Sequence, residues 1–205
     1  KDGLTLAGQG SFGADFTDAV ALGLRHIGYG IDHLLFVLGL VCLARGGWRL
    51  VETVTAFTVA HSLTLAAAAL GLVSVRAEPV NAVVALSILF LGPEMVRQLR
   101  GQMSLAIRRP AAVAFAFGLL HGLGVAGGWS GFGLSREALV ATLLGFNLGV
   151  EIGQLAFVAV LLAVVASLSR LGVAWPVWAG YAPAYVVGTA GAYLTIARTA
   201  VMLGA

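Results

Sequence analysis

The chain's four histidines, His26, His33, His61 and His121, all lie inside long apolar runs, together with Asp32, Glu94 and Glu151. Asn147 and Gln154 share the last of these runs. Imidazole with carboxylate or amide suits a borderline divalent cation such as Ni²⁺, Co²⁺ or Zn²⁺. The same groups can relay protons, because a neutral histidine gains charge near physiological pH. One cysteine, Cys42, and three methionines are too few soft ligands for a dedicated Cu(I) path. A charged group at the centre of a membrane helix costs roughly 2.5–3.5 kcal/mol on insertion scales. Such groups persist where they are paired, face water or perform a task.

Spacing adds depth and direction. The midpoints of successive apolar runs fall near Asp32-His33, His61, His121 and Glu151. Four helices thus bring a metal-capable or proton-capable side chain to one level. His26 and His33 are seven residues apart, about 10 Å along one helix face. Asn147, Glu151 and Gln154 follow i, i+4, i+7 spacing and share a face. Gly145, Gly149 and Gly153 line roughly the opposite face, where small residues let helices approach closely. Gly118-Gly122 and Gly124-Gly128 repeat that spacing in the preceding run. Thr58, His61 and Thr64 share a face, with Ser62 beside them. Pro93 is expected to kink its helix and release the Leu89 carbonyl next to Glu94.

The elements that must position these groups are membrane helices. Of 205 residues, 60% are hydrophobic and 10% charged, against about 25% charged in a soluble domain. Too few charges remain for a water-facing surface, and no basic stripe interleaved with aromatics suggests nucleic acid. The fold class expected is all-α, a polytopic bundle of about six spans in contact with the lipid bilayer, or seven if the first is broken. The spans run from about Thr17 to Leu43, Leu50 to Leu72, Pro79 to Leu99, Pro110 to Ala126, Ser135 to Leu168, and Pro176 to Leu203. Residues 1–16 form a Gly-rich extracytoplasmic segment in this reading, ahead of a transmembrane domain over 17–205. Arginines crowd alternate connections, with Arg45 and Arg49, then Arg97, Arg100, Arg108 and Arg109, then Arg170. That side is expected to be cytoplasmic, and both termini extracytoplasmic. The chain begins at Lys1, which suits removal of a signal peptide.

Two enzyme-like or cofactor readings compete. Gly128-Trp129-Ser130-Gly131 matches the Gly-x-Ser-Gly of rhomboid intramembrane proteases, but no histidine follows His121 to serve the serine. Paired histidines on neighbouring helices could hold a b-type haem, which spacing alone leaves open. No phosphate-binding loop for ATP is present. Arg25 and Arg198 are expected to snorkel to an interface or to pair with an acid. Phe57-x3-His61 and Phe117-x3-His121 hint at a weak internal repeat.

The motifs together resemble the HupE/UreJ family of bacterial membrane proteins. His26-Ile-Gly-Tyr-Gly-Ile-Asp32-His33 is an H-x5-D-H pattern, and Phe57-Thr-Val-Ala-His61-Ser62-Leu-Thr64 follows it. Ala85-Leu-Ser87-Ile, Phe117-Gly-Leu-Leu-His121-Gly122 and Phe146-Asn147-Leu-Gly149-Val-Glu151-Ile-Gly153-Gln154-Leu complete the series over residues 25–157. Phe117 and Gly124 stand where the better characterised branch carries a second histidine and a glutamate, so the chain is closer to the second branch.

The resemblance implies nickel or cobalt permeation in the bacterial inner membrane, often linked to hydrogenase or urease maturation. It makes His26, Asp32, His33 and His121 cation-handling residues, with a divalent ion (Ni, Co or Zn) as substrate or bound ion. The residues themselves add His61 and Glu151 as ligands. Ser62, Thr64, Glu94, Asn147 and Gln154 are expected to line the path or to fix histidine tautomers. The expected function is a permease or facilitator rather than an enzyme. A subunit that binds a metal or haem without transporting, or a structural member of a membrane complex or homo-oligomer, is the alternative.

Overall fold

A computed structural model describes residues 12–44, 46–126, 135–170 and 176–204. Regular structure among these residues is helical throughout. The helices are α1 (Phe12–Tyr29), α2 (Ile31–Leu43), α3 (Gly47–Ala69), α4 (Ala77–Leu99), α5 (Leu105–Arg108), α6 (Pro110–Ala126), α7 (Arg136–Arg170) and α8 (Ala182–Leu203). A 3-10 turn, Val177–Tyr181, leads into α8. By length and composition α3, α4, α7 and the segment containing α8 can each cross a bilayer, and α1 with α2 forms a fifth, broken span. α6 is apolar but shorter. The chain is an all-α membrane helix bundle. The Gly128–Gly131 sequence lies outside the described residues, as do Arg45 and residues 1–11.

The first span differs most from a straight helix. It begins at Phe12, earlier than Thr17, and it bends by 75° at Gly30. The Gly30 N–H closes α1 on the His26 carbonyl at 2.9 Å, and the Gly30 carbonyl opens α2 by accepting from Leu34 at 3.1 Å. Its φ of −79° is one that any residue can adopt. Space is what requires glycine, since a Cβ there would lie 2.5 Å from the His26 carbonyl oxygen and 3.1 Å from His33 Nδ1. α4, by contrast, stays helical across Pro93. The expected interruption beside Glu94 falls instead between His26 and His33.

Packing is dominated by three helix pairs, α1 with α7, α3 with α6, and α4 with α8. Lipid removes the hydrophobic drive between helices, so small residues and close backbone approach do the work. Gly145, Gly149 and Gly153 meet Phe16, Val20 and Ile27 in turn, making α1 and α7 parallel. Gly118 meets Phe57 and Gly122 meets His61, so α3 and α6 are parallel too. Gly92 meets Gly188 while Gly191 meets Leu89, so α4 and α8 are antiparallel. The six alternating spans expected from the sequence would run in these same directions. α2 touches α1, α3, α4, α6, α7 and α8 and sits in their midst. Around it cluster Phe36, Leu40, Phe57, Ile88, Leu91 and Met95. Outward faces carry exposed apolar side chains such as Leu63, Leu86, Leu144, Val160 and Ile196, as a lipid-facing surface does. Trp48 and Trp178 lie exposed near the arginine-rich end, the position of an interfacial aromatic belt.

Candidate metal-binding site

The break at Gly30 turns α2 inward and sets His33 against His26, their ring centroids 4.6 Å apart. His61 of α3 completes a triangle, 6.4 Å from His26 and 6.2 Å from His33 between centroids. One ligand nitrogen from each of the three lies within 4.8 Å of the others. His121 of α6 adjoins the group through His33, at 5.2 Å between rings. Phe36, Phe57 and Phe146 pack against these imidazoles at 4.8–5.3 Å between centroids. His33, His61 and His121 are buried and His26 is partly so. His33, His61 and His121, from three of the four runs that sequence spacing placed at one level, adjoin one another, while Glu151 of the fourth is bonded to Thr55.

Second partners set the tautomers. Asn147 donates its amide N–H to the Leu143 carbonyl at 2.8 Å. Its oxygen is then left to accept from His61 Nδ1 at 3.4 Å. The proton of His61 therefore sits on Nδ1, and Nε2 carries the lone pair. Ser87 gives its only hydroxyl proton to the Val84 carbonyl at 2.6 Å. The contact between Ser87 Oγ and His121 Nε2 at 3.1 Å must then run from imidazole N–H to hydroxyl oxygen. In both residues the nitrogen left with a lone pair is buried without a protein partner, as are the Nε2 atoms of His26 and His33. An orphaned buried polar atom costs about 1–3 kcal/mol. Buried polar groups are ordinarily partnered, and three of these four nitrogens belong to His26, His33 and His61, a group that could hold a metal ion.

Beside the break lies a cavity of about 430 Å³, lined by Leu22, Arg25, His26, Tyr29, Gly30 and Phe146 among others. It brings the surface to His26. On the other side of His61, toward the arginine-rich end, α3 and α7 are joined by polar contacts. Thr58 donates to the Gln154 carbonyl oxygen at 3.0 Å. Thr55 donates to Glu151 Oε1 at 2.8 Å. Glu151 is thus held by a residue six positions before His61, about 9 Å of helix rise away, and lies outside the three-histidine group. The polar face expected for Asn147, Glu151 and Gln154 is the one turned to α3, and the glycine face of α7 is turned to α1.

The other expected residues are engaged elsewhere. Asp32, in the first turn of α2, is ion-paired with Arg198 of α8. Glu94 is buried in α4 and accepts from both Arg97 of the same helix and Ser104, the N-cap of α5. Ser62 bonds the Thr58 carbonyl at 2.7 Å. Thr64 bonds the Ala60 carbonyl at 3.3 Å. Both hydroxyls are spent on their own helix. The cross-helix contacts of Thr55, Thr58 and Ser87 are not legible in the sequence, because a threonine or serine in a span most often bonds its own backbone.

A family model for HupE/UreJ proteins matches residues 3–198, nearly the whole chain. The chain belongs to the HupE/UreJ family. No curated protein and no solved structure gives a match. Membership makes this a metal transport-related, multi-pass membrane protein, and the histidine cluster is compatible with that role. In this HupE/UreJ chain a flat macrocycle would have to part imidazoles that already meet edge-on at 4.6 Å. The three imidazoles of His26, His33 and His61 are close enough together to hold a single metal ion. Bound at about 2.0–2.1 Å from each nitrogen, it would hold tetrahedral ligands about 3.4 Å apart. The three imidazoles would draw in around it.

Proposed function

We propose that this HupE/UreJ chain is a permease or facilitator for a divalent transition-metal cation, nickel or cobalt, in the bacterial inner membrane with its N-terminus extracytoplasmic. It works as a transporter and not as an enzyme. The observation that carries the reading is the set of unpartnered Nε2 atoms on His26, His33 and His61 within one buried group. Imidazole nitrogen discriminates against Mg²⁺ and Ca²⁺, which prefer oxygen, and favours the later first-row metals.

In this reading the cation enters by the cavity at Arg25, Tyr29 and His26 and loses water to the three histidines. His121 offers a further nitrogen beside His33. Asp32 and Glu151 supply charge before and after the midplane. Asn147 fixes the His61 tautomer, and Gln154 with Thr58 provides the next polar step toward the arginine-rich end. Ser62 and Thr64 shape α3, and Glu94 anchors the end of α4.

Nickel accumulation in cells producing the wild type or His33→Ala tests the reading. Wild-type cells should accumulate more nickel than vector controls, and His33→Ala cells should fall to the control level. Equal accumulation in the two, at matched membrane abundance, overturns it.

A further inference from the structure

Cation binding has a charge problem in this fold. The three imidazoles are neutral as ligands, and Phe57 and Phe146 pack against them. A divalent ion left there without an anion carries an uncompensated charge into an apolar chamber, which is strongly unfavourable. Asp32 carries a carboxylate next to His33 in the first turn of α2. It is not open to a cation in this state. The Arg198 guanidinium holds it in an ion pair, and Arg198 also donates to the Asn81 carbonyl at 3.2 Å. The pair is mostly shielded, with side chains 26% and 20% exposed for Arg198 and Asp32.

Three positions make this pair more than a tether. Asp32 follows the break by two residues, in a first turn whose N–H groups lack helical partners and favour an anion. Arg198 comes from α8, which contributes no residue to the histidine group. It also lies five residues before the end of α8. A side chain that long can leave the interior and reach the headgroup layer, about 7–8 Å further along the helix. The guanidinium therefore has a second place to go.

We infer that Arg198 is an internal counter-cation that occupies Asp32 until a metal ion takes the carboxylate in its place. The inference rests on the permease reading above. Exchange proceeds by the incoming divalent ion drawing Asp32 to the histidine group while Arg198 withdraws toward the interface. Release runs the other way, as Arg198 reclaims the carboxylate and weakens the hold on the metal. Arg198 is thus a positioning residue that acts through Asp32 and keeps binding reversible. No bond is made or broken covalently, and one positive group replaces another at the same carboxylate.

Nickel titration calorimetry on purified protein in lipid nanodiscs tests this. Arg198→Gln removes the competitor and should bind nickel about tenfold more tightly than the wild type, the effect of one nearby charge at intermediate dielectric. Arg198→Lys keeps the charge and should stay within about threefold of the wild type. The double variant Arg198→Gln/Asp32→Asn leaves no unpaired charge, so it folds even if the single variant does not. It should bind nickel about tenfold or more weakly than the wild type, because the carboxylate has gone. A purely structural pair gives another pattern, in which Arg198→Gln melts at a lower temperature with its nickel Kd unchanged and the double variant binds as the wild type does. Either of those affinities overturns the exchange while leaving the permease reading intact. No nickel binding by the wild type overturns both.

Discussion

Gly118→Ala adds one methyl group at a close seam between α6 and α3, where the nearest neighbours are backbone atoms and a Cβ. The new Cβ would stand 2.5 Å from the Phe57 carbonyl oxygen, 2.9 Å from Ala60 Cβ and 3.1 Å from Phe57 Cα. Ordinary contact begins near 3.4 Å, so the helices must part by about 0.9 Å at this turn. Backbone atoms cannot rotate away, and the shift passes to α3 as a whole. Overpacking of this kind costs about 1–3 kcal/mol, and alanine's better helix propensity returns about 0.8–1.0 kcal/mol. The net loss of stability is on the order of 1 kcal/mol.

The cation site should suffer more than the fold. His61 lies one turn beyond Phe57 on the displaced helix, and metal–ligand distances tolerate only about ±0.2 Å. Even half of the displacement exceeds that, so nickel affinity should fall about 10- to 100-fold, the range for displaced supporting groups. Gly124→Ala on the same helix is the control. Its Cβ would meet only Asn81 Oδ1 at 3.4 Å and two valine methyls at 3.7 Å. Calorimetry and thermal melts of both variants decide the matter. Gly118→Ala with wild-type nickel affinity, or Gly124→Ala with an equal loss, would refute the close-packing argument.

Two further substitutions separate the site from its supports. Ser87→Ala leaves His121 Nε2–H without its acceptor in a buried position, so stability should drop by about 1–3 kcal/mol. Nickel affinity should fall less than for His33→Ala, since His121 adjoins the three-histidine group from outside. Glu94→Ala removes the acceptor shared by Arg97 and Ser104 and should likewise lower the melting temperature. Nickel affinity should stay at the wild-type value, and a loss there would place Glu94 on the cation's path.

Much of this site is visible in the chain itself. Counting to the middle of each apolar run brings His33, His61 and His121 to one depth, and helical periodicity separates the two faces of α7. Both are local regularities that a straight helix preserves. The partner of Arg198 is less legible, because pairing with an acid fixes neither which acid nor which helix. Asp32 and Arg198 are 166 positions apart, and only the packing of α8 on α4 and α2 brings them together. Pro93 is a similar case. Proline removes a single N–H, yet α4 stays helical while packed along α8. Gly30 carries no such prohibition, and still the chain breaks there.

The placement of that break explains why the first motif needs its spacing. On one straight helix His26 and His33 would stand about 10 Å apart, too far to share an ion. A 75° bend between them brings the rings to 4.6 Å and sends α2 into the centre of the bundle. The same bend opens backbone N–H groups beside Asp32 and a cavity beside His26. Irregular backbone at membrane depth is tolerated where it is buried in protein or lines a cavity, and Gly30, half-buried, lies in the wall of one. Ligand convergence, access from the surface and a carboxylate under exchange all follow from one glycine that has no room for a side chain.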